Sequence, residues 1–169
     1  MRNEFADEIY GAMNKNGDIW LLTGDLGFGY LEKIRKEFPH RFINCGASEQ
    51  AMMGIACGLA LEGKIPFVYS IATFLLNRPF EWIRNYVNHE QIPVKLVGIG
   101  REKEYEHDEF THWATDTKSI LNLFPNIIQF WPEYGNASEK NLSVKQSVQE
   151  MVGNGKPSFL SLSRFETKQ

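Results

Sequence analysis

Segments with the pattern of a buried strand alternate along this chain with segments that have the pattern of an amphipathic helix. Residues 3–13 place Phe5, Ile9 and Met13 at every fourth position among acidic side chains, which predicts a surface helix, and the apolar residues 19–22 predict a buried strand. Further helices are predicted at residues 31–38, 48–61, 74–88, 116–123 and 138–152, and further strands at residues 42–45, 66–71, 94–99, 127–130 and 158–162. Because parallel strands are joined through helical crossovers, this alternation predicts an α/β fold with a doubly wound, mostly parallel sheet and helices on both faces.

Length and charge narrow the classes of protein to which the chain can belong. Its 169 residues, of which 43% are apolar, suit a single domain over residues 1–169. A net charge of −3 leaves no basic surface for nucleic acid. No apolar run approaches the roughly 20 residues that span a bilayer, and the N-terminus is acidic, so we expect a soluble, cytoplasmic protein. Cys45 and Cys57 lack the spacing of a metal or redox motif and are expected to be buried free thiols.

Ligands of parallel α/β sheets bind beyond the carboxyl ends of the strands, so the informative loops follow Leu22, Cys45, Ile71 and Ile99. The first loop, residues 23–29, contains glycines that would admit a phosphate beside a helix N-terminus. Glycines after a strand are also ordinary turn residues, and the loop lacks the Gly-Lys-Ser/Thr ending of a nucleoside-triphosphate loop. This loop alone therefore does not decide the ligand.

The second loop and the helix after it resemble a known family. Residues 46–69 read Gly-Ala-Ser-Glu-Gln-Ala-Met-Met-Gly-Ile-Ala-Cys-Gly-Leu-Ala-Leu-Glu-Gly-Lys-Ile-Pro-Phe-Val-Tyr. This closely resembles the segment of transketolases and deoxyxylulose-phosphate synthases that carries their cofactor-activating glutamate, and Glu49 is the matching residue. The resemblance implies that Glu49 hydrogen-bonds a ring nitrogen of the aminopyrimidine of thiamin diphosphate, which promotes formation of the nucleophilic ylid. The alternative is a plain helix start, with Ser48 as its cap and Glu49 complementing the helix macrodipole.

Other residues match the same family in order along the chain. Asp25 corresponds to an aspartate near cofactor and substrate, and Phe74 to an aromatic ring that stacks on the aminopyrimidine. The resemblance implies cofactor contacts for four residues: Asp25, Phe74, Arg78 and Phe80. It also implies that Arg78 faces a substrate phosphate or a carboxylate across a dimer. From spacing alone, Phe74 would be a core residue, and Arg84 is as readily a structural ion-pair partner.

The fourth loop, residues 106–112, resembles the transketolase segment Glu-Asp-Gly-x-Thr-His. Asp108 and His112 stand at the substrate-contacting positions. The resemblance implies that both bind substrate and that His112 is catalytic, because an imidazole gains and loses a proton near neutral pH. A solvent-exposed loop histidine is the alternative. The glycines that flank the family's Glu-Asp pair are absent, and Glu106 and Glu109 are among the residues found there, which leaves the substrate preference open.

The family's second cofactor half-site has no counterpart in this sequence. That half-site is a Gly-Asp-Gly motif with a later asparagine, and it binds Mg²⁺ and the diphosphate of thiamin diphosphate. Residues 24–27 read Gly-Asp-Leu-Gly, but they come too early and contain a leucine at the middle glycine, so no metal is assigned to this chain. The resemblance therefore implies a diphosphate-binding partner subunit that holds Mg²⁺, as in a heterotetramer with two sites. The usual C-terminal transketolase domain is likewise unmatched.

The function expected from the resemblance is that of the pyrimidine-binding subunit of a split transketolase-like transferase, active only with its partner. Such an enzyme moves a two-carbon ketol unit from a ketose or ketose phosphate to an aldehyde. Alternatives are a subunit of a thiamin-diphosphate-dependent 2-oxo acid decarboxylase or carboligase, and a non-catalytic regulatory subunit. A doubly wound domain that binds an unrelated nucleotide is a further alternative, since this topology hosts many activities.

Overall fold

The computed structural model describes residues 1–132 and 142–165 and contains one sheet of six parallel strands. Along the sheet the strands are ordered β2-β1-β3-β4-β6-β5. They are β1 (Ile19–Thr23), β2 (Phe42–Asn44), β3 (Ile65–Ile71), β4 (Lys95–Ile99), β5 (Ile128–Phe130) and β6 (Ser158–Leu162). Each lies within about one residue of a predicted strand, so the prediction of a parallel α/β sheet is confirmed.

Helices cover both faces of the sheet. They are α1 (Arg2–Lys15), α2 (Glu32–Glu37), α3 (Glu49–Leu61), α4 (Ala72–Asn77), α5 (Phe80–Trp82), a π-helix (Ile83–His89), α6 (Thr117–Leu121) and α7 (Val144–Gly153). Alternate residues of a strand point to opposite faces, and Phe67 of β3 accordingly packs with α1, α2 and α7 while Val68 packs with α3, α4 and the π-helix. The predicted apolar face of α1, formed by Phe5, Ile9 and Met13, is fully buried. Within the described ranges, no helix has the length and apolar character needed to cross a bilayer.

The prediction of one continuous helix over residues 74–88 is wrong. Helix α4 ends at Asn77, and the chain resumes after Pro79 with the short α5 and the π-helix. Proline has no N–H to donate, and its ring clashes with the preceding turn, so an α-helix breaks there. Arg78 consequently occupies the C-cap of α4 rather than the middle of a helix.

The predicted start of the last helix at residue 138 is too early. Helix α7 begins at Val144, where Ser143 accepts a hydrogen bond from the backbone N–H of Gln146 and the Gln146 side chain accepts one from the Ser143 backbone. This reciprocal capping box satisfies donors that a helix start leaves without partners. Residues 138–141 of the prediction lie outside the described residues.

The two cysteines differ in exposure. Cys57, a residue of α3, is buried, and burial raises the pKa of its thiol to about 11. Cys45 is half-buried, and burial raises the pKa of that thiol as well. Both are free thiols, so the prediction of buried free thiols is confirmed for Cys57 and only in part for Cys45.

The amino end of the sheet contains a buried amine. Lys95, the first residue of β4, is 1% exposed and donates hydrogen bonds to Asn154 Oδ1 at 2.7 Å and to the carbonyl oxygen of Lys156 at 2.5 Å. Burial lowers the pKa of Lys95 from 10.5 to about 8, because removal from water penalises the charged form. This group lies at the opposite end of β4 from the loop that begins at Gly100.

Candidate functional site

Glu49, the first residue of α3, carries a carboxylate that is almost completely buried. The residue is 1% exposed; its Oε1 accepts a hydrogen bond from Ser70 Oγ at 3.2 Å, and its Oε2 accepts one from Arg78 Nη1 at 2.7 Å. A buried carboxylate is costly unless it is paired and hydrogen-bonded. Ser48 makes no capping hydrogen bond through its side chain. The carboxylate of Glu49 is therefore held by tertiary contacts with Ser70 and Arg78. A plain helix start, with Ser48 as cap and Glu49 facing the helix dipole, does not account for these contacts.

Gly24 and Ser70 complete the walls around this carboxylate. A Cβ at Gly24 would lie 3.2 Å from Glu49 Oε1 and 3.4 Å from Ser70 Oγ, so the end of β1 approaches the carboxylate more closely than most side chains permit. Ser70 is itself fully buried near the end of β3. Sequence reasoning left Gly24 open between an ordinary turn residue and part of a phosphate-admitting loop, and it missed Ser70. The available signal for Ser70 was a polar residue at the carboxyl end of an otherwise apolar strand.

Arg78 joins the carboxylate to an aromatic ring. Its guanidinium carbon lies 4.0 Å from the centroid of the Phe74 ring, while its Nη1 contacts Glu49. Residues four apart on a helix share a face, and Phe74 is in α4 while Arg78 is its C-cap, so the Arg78 side chain lies over Phe74. The Arg78 side chain is 44% exposed, whereas the Glu49 side chain is 1% exposed. The cation thus covers the carboxylate and the ring from the solvent side.

His112 contacts the same aromatic ring. The His112 and Phe74 ring centroids are 4.8 Å apart with an interplanar angle of 71°, an edge-to-face arrangement. His112 Nδ1 lies 2.9 Å from Thr111 Oγ1. Thr73 Oγ1 donates a hydrogen bond to the Trp113 carbonyl oxygen at 2.8 Å, which ties the start of α4 to the loop that carries His112. The structure therefore brings His112 to Phe74 although they are far apart in sequence.

Asp25 belongs to a neighbouring turn that is connected to the Glu49 loop. Its backbone N–H donates to Asn44 Oδ1 at 3.0 Å, and Asn44 Nδ2 donates back to Asp25 Oδ1 at 3.0 Å. Asn44 Oδ1 also accepts from the backbone N–H of Gly46 at 3.0 Å. Asp25 has a φ of +58° and is exposed. Asn44, which sequence reasoning missed, thus links the loops after β1 and β2.

The loop after β4 is anchored by Glu104, another residue that sequence reasoning missed. Its carboxylate accepts hydrogen bonds from the backbone N–H of Arg101 at 3.0 Å, from Ser163 Oγ at 2.6 Å and from the backbone N–H of Arg164 at 2.7 Å. These contacts join the loop to the end of β6. Tyr105 follows directly, and burial raises the pKa of its hydroxyl. The loop that presents His112 is therefore held on two sides.

Three of the predicted residues have contacts away from this cluster. Asp108 is exposed, and its Oδ2 lies 3.2 Å from His107 Nε2. The Phe80 ring packs against Phe124, with centroids 5.3 Å apart, in the core between the sheet and α3. Arg84 is exposed and donates to Asn85 Oδ1 at 2.8 Å. These contacts favour a packing role for Phe80, and the roles of Asp108 and Phe80 stay predictions.

The clustered residues offer a buried carboxylate, an aromatic face and an imidazole at one end of the sheet. Such a site suits a flat nitrogen heterocycle, whose edge takes a hydrogen bond and whose face stacks on an aromatic ring. Over residues 1–132 and 142–165, no group of three or more His, Cys, Asp or Glu side chains is arranged to hold a metal ion.

Sequence comparison relates the chain to one family. A sequence model of the family described as "Transketolase, pyrimidine binding domain" matches residues 1–168. A putative transketolase C-terminal section from Methanocaldococcus jannaschii is 33% identical over 170 residues, which cover 99% of this chain and 52% of that protein. One of the subunits of an apulose-4-phosphate transketolase from Actinobacillus succinogenes is 37% identical over 137 residues, which cover 80% of this chain and 44% of that protein. The chain therefore spans about half the length of these relatives.

Solved structures show the same fold. A split gene transketolase, described as an inactive beta4 tetramer, matches with a TM-score of 0.79 and 26% identity, covering 98% of this chain and 51% of that chain. Transketolase from Leishmania mexicana matches with a TM-score of 0.80 and 18% identity, covering 99% of this chain and 25% of that chain. The second likeness shows the fold alone because its sequence identity is low.

Proposed function

The chain belongs to the family of transketolase pyrimidine-binding domains, and on this premise we propose that it supplies the pyrimidine half of a thiamin-diphosphate site in a split transketolase-like enzyme. In this proposal the enzyme is a transferase that moves a two-carbon ketol unit from a ketose or ketose phosphate to an aldehyde. The observation that carries the proposal is the buried carboxylate of Glu49, joined through one guanidinium to the ring of Phe74.

The residues at this site fit an aminopyrimidine. The Arg78 guanidinium is a flat group with nitrogen donors at its edge; its Nη1 donates to Glu49, and its central carbon lies 4.0 Å from the centroid of the Phe74 ring. An aminopyrimidine would occupy the same two positions, with its face on Phe74 and a ring nitrogen sharing a proton with the Glu49 carboxyl group. This match between the demands of the ring and the contacts at the site supports assigning Glu49 and Phe74 to the pyrimidine of thiamin diphosphate.

In the proposed enzyme, thiamin diphosphate supplies the carbon nucleophile that breaks the donor's carbon–carbon bond. Glu49 would hold a hydrogen bond to the ring nitrogen of the cofactor, and the burial of its carboxylate would exclude water from that bond. Phe74 supports the face of the ring. Asp25 lies beside the site through its hydrogen bonds with Asn44. Arg78, which contacts both Glu49 and Phe74, and Phe80 complete the set of residues at the cofactor site in the proposal.

His112 and Asp108 are proposed to bind substrate. His112 lies at the edge of Phe74, from which its imidazole would move protons to and from the hydroxyl groups of a bound sugar. Its Nδ1 is next to the Thr111 hydroxyl, which orients the ring and leaves Nε2 for substrate. Asp108 would reach the donor's hydroxyl groups from the same loop, and Arg78 would face a phosphate or carboxylate.

We further propose that residues 1–169 form one domain and that a second polypeptide supplies the remaining half of the site. That partner would bind the diphosphate and Mg²⁺ in a cytoplasmic heterotetramer. Support comes from the relatives: one is named as a subunit of a transketolase, and a solved relative is described as a split gene transketolase.

One observation favours a second candidate function. Glu109 stands where the transketolase segment has a glycine, and it adopts φ +64° and ψ −168°, a conformation that glycine tolerates far better than other residues. The substrate loop therefore keeps a glycine-like backbone but presents an additional carboxylate. A changed substrate loop is compatible with decarboxylation or carboligation of a 2-oxo acid, or with a regulatory subunit. Product analysis with sugar and 2-oxo acid donors separates these activities.

The test is co-expression of this chain with a polypeptide that carries Gly-Asp-Gly and a following asparagine. Calorimetry with Mg²⁺ would measure thiamin-diphosphate binding to the complex, to each chain alone and to a complex with Glu49→Ala. Glu62→Ala is the matched control, because Glu62 is an exposed glutamate at the other end of the same helix. We expect binding by the complex, loss of ketol transfer in Glu49→Ala and no change in Glu62→Ala. Equal activity in the two variants would contradict the assignment of Glu49.

A further inference from the structure

Arg78 makes both contacts that the proposed function assigns to the aminopyrimidine. Its Nη1 lies 2.7 Å from Glu49 Oε2, and its guanidinium carbon lies 4.0 Å from the centre of the Phe74 ring. The first distance is that of a charge-assisted hydrogen bond, and the second is that of a stacked cation–π contact. One side chain therefore occupies the carboxylate and the aromatic face at the same time.

The guanidinium covers one face of the Phe74 ring. A heterocycle stacked on the same face of Phe74 would need the space that the guanidinium now takes, because both groups lie in van der Waals contact with the ring. The Glu49 carboxylate is 1% exposed, with Oε1 bonded to Ser70 and Oε2 to Arg78. The route to Oε2 from solvent passes through the position of Arg78.

We propose that Arg78 is a self-ligand of the pyrimidine subsite, which closes the subsite in the cofactor-free chain and leaves it when the aminopyrimidine enters. The inference rests on the proposed function, since it assumes that Glu49 and Phe74 receive that ring. It gives Arg78 a role that precedes any contact with substrate: the residue sets the apparent affinity for the cofactor by competing with it.

The position of Arg78 in the fold suits a movable group. Its side chain is 44% exposed, so part of it is already in water. It is the C-cap of α4, immediately before the break at Pro79, and its side chain is not enclosed by a following helical turn. Its release also leaves Glu49 hydrogen-bonded to Ser70, so the carboxyl group keeps one donor at Oε1 while it shares a proton with the pyrimidine ring nitrogen at Oε2.

The size of the effect follows from competition. A ligand that binds only the open state has its affinity reduced by the fraction of molecules that are open. For a half-exposed ion pair with one cation–π contact, removing the competitor should strengthen binding roughly 3- to 30-fold. Salt should act in the same direction in the wild-type chain, because it screens an ion pair that is open to solvent on one side.

The experiment is a titration of the full chain with 4-amino-5-hydroxymethyl-2-methylpyrimidine, the pyrimidine half of the cofactor, followed by NMR. The chains compared are wild type, Arg78→Gln, Arg84→Gln and Glu49→Ala. Arg84 is the matched control, because it is an exposed arginine after the same helix break. In the part of the chain that the structure describes, its guanidinium donates a hydrogen bond only to its neighbour Asn85. We expect a Kd lowered roughly 3- to 30-fold in Arg78→Gln, an unchanged Kd in Arg84→Gln, and loss of binding in Glu49→Ala.

Salt and a second substitution complete the design. Raising the salt concentration should tighten pyrimidine binding to the wild-type chain and leave Arg78→Gln unaffected. Arg78→Lys keeps the charge but loses the flat stacking surface, so it should fall between wild type and Arg78→Gln, and it carries the test if the glutamine variant does not fold.

The outcomes distinguish the self-ligand from the proposed function. Binding that depends on Glu49 but is equal or weaker in Arg78→Gln and Arg78→Lys would overturn the self-ligand and leave the pyrimidine site intact. Absence of binding to every folded variant, or binding that is indifferent to Glu49, would overturn the pyrimidine site and the self-ligand with it.

Discussion

Gly24 lies so close to Glu49 that a Cβ on the glycine would stand 3.2 Å from the carboxylate oxygen Oε1. Gly24 follows β1, whereas Glu49 is the first residue of α3, which follows β2. The buried carboxylate of Glu49 packs directly against the backbone of Gly24. The absence of a side chain at position 24 is therefore a packing requirement of the site. It is not a demand of backbone conformation, because Gly24 is outside the left-handed region that favours glycine.

Gly24→Ala is the first prediction. The new methyl group must displace Glu49 or Ser70, which hold each other by a hydrogen bond, so we expect the free energy of unfolding to fall by about 1–3 kcal/mol. Urea denaturation measures the change. Gly58→Ala is the control, since a Cβ there meets nothing within 4 Å and an alanine in a helix is favourable by about 0.5–1 kcal/mol. Equal destabilisation by the two substitutions would contradict the close approach.

Ser70→Ala tests the hydrogen bond to the buried carboxylate. The substitution removes the donor to Glu49 Oε1 and leaves a buried acceptor with one partner fewer, which should lower the free energy of unfolding by about 1–3 kcal/mol. Ser48→Ala is the matched control, because Ser48 is exposed and its side chain makes no capping bond. We expect a change within about 0.5 kcal/mol for that control in the same denaturation experiment. A comparable loss in both variants would show that Ser70 has no special role.

Glu109→Gly tests the strained turn in the loop that carries His112. The observed φ of +64° with ψ of −168° is unfavourable for a glutamate, so glycine should raise the free energy of unfolding by about 1 kcal/mol. Glu106→Gly is the comparison, since Glu106 has no positive φ and glycine there should lower stability. Thermal unfolding of the two variants under identical conditions measures both effects. A fall in the melting temperature of Glu109→Gly would contradict the strain.

Lys95 makes the stability of the protein depend on pH above neutrality. Its pKa is lowered in the folded chain from 10.5 to about 8, so between these pH values the unfolded chain binds more protons. Stability therefore rises as pH rises through this window and is lost as pH falls towards 8. The full difference corresponds to about 3 kcal/mol.

Replacement of Lys95 by methionine should remove this pH dependence. The methionine keeps most of the buried length without the charge, but Asn154 Oδ1 and the Lys156 carbonyl oxygen each lose a donor. The stability of Lys95→Met relative to wild type should therefore be greatest at pH 7 and should fall by pH 10. Denaturation at several pH values provides the measurement. Lys36→Met, at an exposed lysine of α2, is the control that should keep the wild-type profile. Parallel profiles for Lys95→Met and wild type would show that the buried amine does not titrate in this range.

Much of the fold was predictable because its signals are local. The apolar spacing of α1 and the short apolar runs of the strands report directly which side chains face the sheet, and the structure confirms them. Pro79 was also visible in the sequence, but its effect was underestimated: the helical pattern continues across it, while the backbone cannot. The start of α7 was misplaced because the prediction did not identify the capping box that Ser143 and Gln146 form at the helix start.

The sequence by itself determined the α/β architecture, the loops at the carboxyl ends of the strands and the glutamate at the start of α3. It did not determine which side chains meet at that glutamate. Arg78 is 29 residues away from Glu49, and Ser70 is 21 residues away. Gly24 directly follows β1, which pairs with the β2 strand that precedes Glu49. Such contacts depend on the order and register of β1, β2 and β3, which place three loops at one edge of the sheet. Local patterns specify each element, but the distance between side chains from different elements is set only when those elements pack.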